Sequence, residues 1–359
     1  MSHSEGHRDS TTVRSVAIQA GVSTATAARA LGGYGPVSEK TRLKVQAAAD
    51  EIGYRPNRLA RSMITGKTKT LGLVIADIEN SFFASASRGF ADAARRAGYD
   101  VLIANTDEEP GMEQSAVRSL IERRVDGIVV APASAKIINH LERAVHEGLP
   151  LVLLDRHLKG FPADSVLVNS KEAARVAVDH LIEHGHSCIG IVTGTSPAHP
   201  ATEGSRSLDL ISSGQERIQG YRAALKAAGI DVRLEYIKTG DFHRQASKDL
   251  TNELLALDEP PTAILTTDSV ITLGALTALH DAGKRIPADI SLVGIDDAEW
   301  ATVVNPPLTV VAQPAYELGE LAAQRVVERI QGSTTRPRRR NLPTQLIIRE
   351  SVGAPPRTR

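Results

Sequence analysis

The chain has 359 residues, with 42 basic and 42 acidic side chains. That length suggests two or three domains, and 42% hydrophobic residues supply cores that need no covalent staples. One cysteine, Cys188, excludes an internal disulfide and a Cys-based zinc site. No apolar run approaches the ~18 residues of a membrane span. The polar first ten residues lack the apolar core of a secretory leader, so cytoplasmic residence is expected.

The neutral total conceals an uneven distribution. Residues 1–70 carry eleven basic and five acidic side chains, residues 334–359 carry seven Arg and one Glu, and residues 71–333 carry 24 basic and 36 acidic ones. A basic head suits a polyanion and an acidic body repels one. Chance variation across a solvated surface gives the same numbers.

The predicted elements begin with three short helices. Val13, Val16, Ala17 and Ala20 follow an i, i+3, i+4, i+7 stripe, with Thr12 placed to cap it. Gly21 permits a tight turn. Ser23 caps a second helix over 24–31 with Ala27, Ala30 and Leu31 inside, and Gly32-Gly33 stop it. A third helix spans 38–52, with Leu43, Val45, Ala49 and Ile52 apolar and Gly53 at its end. Two helices joined by a three-residue turn form a helix-turn-helix, whose second helix enters the major groove; a generic three-helix bundle shares the pattern. Residues 57–67 hold three basic side chains beside Leu59, Ala60 and Met63. Such a segment is too short for a stable isolated helix and reads as a linker.

From residue 71 short apolar runs alternate with helical patterns. Strands are predicted at 71–77, 100–105, 127–132, 150–155, 165–169, 188–194, 236–240, 263–267, 291–296 and 308–313. Helices are predicted at 82–97, 112–124, 171–184, 215–228 and 269–282. This alternation implies parallel sheets flanked by helices, with ligands outside the carboxyl ends of the strands. Asp77, Asn105, Asp155, Thr267, Asp296 and Gln313 fall there, although each type also caps helices or forms turns.

Other motifs are set aside. His180 and His184 share a helix face, but His186 lies past Gly185 and no carboxylate pair joins them, so structural or surface roles are expected. TGKT at 65–68 lacks the first glycine of a phosphate loop. No nucleophile elbow occurs. The run Arg336–Arg340 reads as solvated surface. No catalytic residue, metal or cofactor is expected.

The stretch TVRSVAIQAGVSTATAARAL (12–31), followed by VSEKTRLKVQAAADEIGYRPNRLARSM (37–63), resembles the DNA-binding head of the LacI/GalR family of bacterial transcription regulators. The resemblance implies that Thr24, Ala25 and Arg29 face base edges and that Thr12, Ser23, Thr26 and Asn57 contact phosphates. It makes 57–68 a hinge helix that folds on DNA, with Arg58 and Ala60 among the contacts and Met63 wedged between base steps. Ser15 replaces the family's acidic residue, so the reciprocal capping box is expected to be missing. T-A-A-R at 26–29 replaces T-V-S-R, leaving a small-sided second helix.

The body is similar to the periplasmic sugar-binding proteins (type I), whose fold the family shares. ENSFFA (79–84), PLVLLDR (150–156), ERIQGY (216–221), TGDF (239–242), TDSVITLGAL (267–276), VGIDD (293–297) and PLTVVAQP (307–314) carry the likeness. The implied architecture is a disordered tail (1–10), an all-α helix-turn-helix head (11–56), the hinge (57–68), two Rossmann-like lobes (69–333) and a disordered tail (353–359). The N-lobe is expected at about 71–169 and 308–331 and the C-lobe at about 170–305 and 334–352. Crossovers then fall near 169–171, 302–307 and 331–334. The cleft between lobes would contain Asn80, Phe82, Phe83, Asp155, Arg156, Arg217, Phe242, Thr267, Asp296 and Gln313. Phenyl rings cover a sugar's C–H face, while carboxylates and guanidiniums pair with hydroxyls. Thr267 stands where Asn is frequent in the family. The 195–214 loop is long, rich in Ser, Pro, Thr and Gly, and lid-like.

The resemblance therefore implies a regulator, expected to repress, that binds a pseudo-palindromic operator as a homodimer and answers to a pentose, hexose or related sugar. No leucine heptad follows Ile348, so a tail-mediated tetramer is not expected. A sugar-binding transport receptor would share the body but not the head. A carbohydrate enzyme would need Asp155 and Asp296 to flank a glycosidic bond.

Overall fold

A computed structural model describes residues 11–55, 66–194 and 211–356. Tail 1–10, the hinge residues Asn57, Arg58, Ala60 and Met63, most of the long loop and residues 357–359 lie outside the described residues. The chain divides into two compact units, Met1–Thr68 and Lys69–Arg359.

In the first unit α1 (Val13–Gln19), α2 (Thr24–Gly32) and α3 (Glu39–Glu51) enclose one small core. Thr12, Ser23 and Ser38 each cap a helix, and Gly33, at φ 71°, closes α2 in the left-handed region. The capping box expected to be missing is present. The Thr12 Oγ1 accepts the Ser15 amide at 3.3 Å and the Ser15 Oγ accepts the Thr12 amide at 3.4 Å, so a hydroxyl replaces the usual carboxylate. Val16, Ala17, Ala20, Ala27, Ala30, Leu31, Val45, Ala48 and Ala49 are buried. Leu43, one of the apolar residues of the predicted third helix, is 66% exposed. The inner stripe of α3 runs Val45, Ala48, Ala49, Ile52, which leaves Leu43 off the face.

In the second unit the chain runs β1 (Thr70–Ile75), α4 (Ser81–Arg96), β2 (Asp100–Asn105), α5 (Pro110–Glu122), β3 (Gly127–Val130), α6 (Asn139–His146), β4 (Leu151–Leu154) and β5 (Asp164–Val168). It continues through α7 (Ser170–Glu183), β6 (Ile189–Gly194), α8 (Ser212–Ala227), β7 (Ile237–Gly240), α9 (Arg244–Leu255), β8 (Ala263–Thr266), α10 (Ser269–Asp281), β9 (Ser291–Ile295) and β10 (Thr309–Ala312). It ends with α11 (Ala315–Ile330), β11 (Arg339–Leu342) and β12 (Gln345–Ile347). Two six-stranded sheets result, ordered β11-β5-β4-β3-β1-β2 and β12-β10-β9-β8-β6-β7. All pairings are parallel except β12 with β10. Central strands such as β3, β4 and β9 are buried throughout, as a sheet covered on both faces requires.

The lobe boundaries differ from expectation. The first crossover falls at Asn169, between β5 and α7, within the expected 169–171. The 308–313 run stays in the second sheet, because its buried Val310 and Val311 pair with β9. The second crossover is therefore at 313–314, not 302–307, and α11 packs against α4 of the first lobe. The third lies at 343–344, not 331–334, because β11 pairs with β5 before β12 returns to β10. The Asn169 amide donates to the Leu342 carbonyl at 3.1 Å, which sets two crossovers side by side.

The run Arg336–Arg340 is solvent-exposed, as expected, although its backbone enters β11. The tail expected to be disordered from 353 is tied down at its start. The Gly353 amide donates to the Ser291 Oγ at 3.1 Å, and the Gly353 carbonyl bonds the His186 Nε2 at 2.9 Å.

Candidate functional site

In the first unit Thr24 and Ala25 stand exposed at the start of α2, with Thr26 and Arg29 half-buried along it. The Ser23 hydroxyl caps the Thr26 amide at 3.1 Å and pairs with the Thr26 hydroxyl at 2.8 Å. The Arg29 Nε donates to the Ala25 carbonyl at 3.2 Å, which holds the side chain along its own helix. Thr12 and Ser23 thus put capping hydroxyls at the N-termini of α1 and α2.

In the second unit the carboxyl ends of both sheets meet at one cleft. It is lined by Asp77, Asn80, Phe82, Phe83, Glu108, Asp155, Arg156, Ile211, Ser213, Arg217, Phe242, Asp268, Asp296 and Gln313. Nine of the ten expected effector residues are there. Thr267 is not: it is fully buried, and its hydroxyl donates to the Thr193 Oγ1 at 2.9 Å. Its neighbour Asp268 enters the cleft instead. Glu108 and Asp268 escaped the sequence reading. Asp268 had a signal, since it opens a helix after a strand, while Glu108 sat unmarked in an acidic turn after β2.

The two lobes place equivalent carboxylates. Asp155 follows β4 at φ 60° and Asp296 follows β9 at φ 81°, a left-handed conformation that Asp tolerates. Each stays tied to the neighbouring strand, the Asp155 amide to the Val166 carbonyl and the Asp296 amide to the Val311 carbonyl. Arg156 is 3% exposed and grips Glu108 with two bonds, 2.6 and 2.5 Å, and the Pro132 carbonyl at 2.9 Å. Its Nε lies 3.7 Å from Asp155. The Gln313 Nε2 donates to Asp296 at 2.6 Å and the Ser269 amide donates to it at 3.3 Å. The Phe82 and Phe83 rings meet edge to face at 5.2 Å, while the Asn80 side chain caps α4 by accepting the Phe82 amide.

Several buried polar atoms of cleft-lining residues have no hydrogen-bond partner among the described residues: Asp155 Oδ1, Arg156 Nε, Arg217 Nε, Asp268 Oδ2 and Gln313 Oε1. Burial pushes the Asp268 carboxyl up to about 7, with the Asp296 charge adding to the shift and the Ile271 amide and Arg217 opposing it. Burial also raises Asp296, against Arg217 and Gln313. The space left among these side chains is about 20 Å³, room for about one water. Contacts on either side hold the lobes together: Ser81 Oγ to Ser269 Oγ at 3.1 Å, the His157 amide to Ser212 Oγ at 2.9 Å, and Arg339 to Glu216 at 2.8 Å. A second space of about 430 Å³ adjoins the cleft, lined by Asp77, Ile78, Glu79, Asn105, Asp107, Glu108, Glu109, Asp241, Phe242 and His243.

The histidine trio is structural. His186 bridges Thr262, Ser291 and Gly353, and burial lowers its basicity. The His180 and His184 rings pack edge to face at 4.5 Å.

A helix-turn-helix head and a two-lobed α/β clamp on one chain define a ligand-responsive DNA-binding regulator. Residues 12–57 match the family "Bacterial regulatory proteins, lacI family", and residues 178–352 match "Periplasmic binding protein-like domain". The HTH-type transcriptional repressor PurR of Photobacterium profundum is 32% identical over 95% of this chain and 98% of its own. Among solved structures, the transcriptional regulator CelR–cellobiose complex is 30% identical, with a TM-score of 0.70 over 95% of this chain and 99% of its own. The lac repressor dimer bound to operator and the anti-inducer ONPF is 26% identical, with a TM-score of 0.81 over 96% and 99%. The chain belongs to the lacI family of bacterial transcription regulators. These relatives are regulators, not enzymes. No helix among the described residues is long and apolar enough to cross a membrane.

Proposed function

We propose that this protein is a repressor whose grip on operator DNA is set by a small polyhydroxylated ligand held between the two lobes. One observation carries the reading: buried donors and acceptors from both lobes converge, unpaired, on one cleft beside an aromatic pair. Each such group left unpaired costs about 1–3 kcal/mol, which a ligand with a ring of hydroxyls recovers. A cellobiose-bound regulator of the same fold supports a sugar.

On the head, Thr24, Ala25 and Arg29 read bases, while Thr12, Ser23, Thr26 and Asn57 hold phosphates. The hinge residues Arg58, Ala60 and Met63 complete the set on the family resemblance. The protein works as a cytoplasmic homodimer on a pseudo-palindromic site, without a cofactor or a catalytic role. The lac repressor dimer on its operator supports this. So does the outer edge of the first sheet, where Leu102 and Ile103 of β2 are exposed. A ligand changes the DNA affinity only by preferring one lobe arrangement, and a hundredfold preference corresponds to about 2.7 kcal/mol.

The test is selection of duplexes from a random pool, followed by binding measurements with and without sugars. Preference for a two-fold site, affinity that falls steeply with salt, and a sugar-dependent change are expected. Arg156→Ala and Asp296→Ala should keep duplex binding and lose the sugar response. A variant that responds like the wild type would sink the cleft assignment, and indifference to duplex sequence would sink the whole reading.

A further inference from the structure

The cleft gathers five carboxyl groups against two guanidiniums, with one oxygen each of Asp155 and Asp268 buried and unmatched, and we propose that its ligand is a cationic, amine-bearing sugar or amino-polyol. This rests on the cleft being the effector site.

Among the described residues that line it, the acids are Asp77, Glu108, Asp155, Asp268 and Asp296 and the bases are Arg156 and Arg217. The positive charge is outnumbered. Arg156 is spent on Glu108 through two bonds, reaching Asp155 only through Nε at 3.7 Å. Arg217 holds down the proton affinity of both Asp268 and Asp296, one guanidinium set against two acids. Asp155, 6% exposed, therefore keeps charge that its neighbours do not match, and Asp268, 5% exposed with its carboxyl raised to about 7, adds such charge as it ionises through neutral pH. Hydroxyl groups satisfy the hydrogen bonding of such oxygens but leave the charge buried, and an anion worsens it. An ammonium supplies three donors and the missing charge together.

The approach to the cleft has the same sign. The adjoining space of about 430 Å³ adds Glu79, Asp107, Glu109 and Asp241. An entry lined by one sign of charge concentrates the opposite sign and speeds its arrival.

The probes are matched pairs at neutral pH: glucosamine and glucose, galactosamine and galactose, mannosamine and mannose, N-methylglucamine and sorbitol. Isothermal titration of the full chain should show at least one amine binding about tenfold or more tighter than its neutral partner. Asp155→Asn and Asp268→Asn should each shrink that preference. The amide of Asp268→Asn still caps α10, so without ligand this variant should melt above the wild type at pH 8; a lower melting point would argue against unmatched charge. Neutral members binding as tightly as the amines in every pair overturns the inference. If such a neutral sugar also changes duplex affinity, the clamp reading stands without it. If no probe of either kind binds or changes duplex affinity, both fall.

Discussion

One oxygen of Asp268 accepts the Ile271 amide at 2.8 Å and the other is buried without a hydrogen-bond partner, so the same side chain starts a helix and lines the site. Its carboxyl, raised to about 7, holds a proton in the folded protein where the unfolded chain has lost it. The associated stability is present below the usual carboxylate range and is lost as pH rises from about 4 through 7, a change on the order of a few kcal/mol. Melting points taken from pH 5 to pH 8 should fall more steeply for the wild type than for Asp268→Asn; parallel curves would contradict the assignment. At the head, Arg29 must leave the Ala25 carbonyl to reach a base. Arg29→Ala should weaken binding to the selected duplex by about 1–3 kcal/mol while sparing random duplex, and equal losses on both would argue against base reading. Residues such as Asp155 and Asp296 were legible because polar groups ending apolar strands mark a parallel sheet's ligand edge. Asp268 was missed by one position, since sequence does not show which of two adjacent polar residues turns inward.

Helices α4 and α11 cross so closely that a Cβ on Gly89 would lie 2.0 Å from the Tyr316 carbonyl oxygen, and one on Gly319 would lie 1.9 Å from that of Ala86. Gly89→Ala should cost about 1–3 kcal/mol or more through overpacking, read as a lowered denaturation midpoint. The first ten strands were visible in the sequence, most of them as apolar runs. β11 and β12 were not: RRNL and QLI are short, and β11 is exposed at three of its four positions. Missing them displaced the third crossover, because they show where the chain last changes sheets, whereas the second moved because β10 stays beside β9. The helices α6, α9 and α11 also went unassigned. β11 brings Arg339 to Glu216 across the lobes. Both groups are partly exposed, so Arg339→Ala should change ligand affinity by less than about 1 kcal/mol, measurable by titration; a tenfold change would assign that pair a larger share of closure.

At the scale of the whole molecule, hydrophobic periodicity and turn residues revealed three short helices and an alternating α/β body, and the family resemblance made these a DNA-binding head and two lobes. The lobes' state of closure was not legible, since it depends on contacts between residues far apart in sequence, such as Ser81 with Ser269. That closure has a kinetic consequence. With about 20 Å³ between the facing side chains, a sugar is expected to enter only when the halves swing apart. Capture is then gated: in a stopped-flow experiment the observed rate should rise with ligand concentration and level off at the intrinsic opening frequency, and variants that loosen the Ser81–Ser269 contact should lift that plateau.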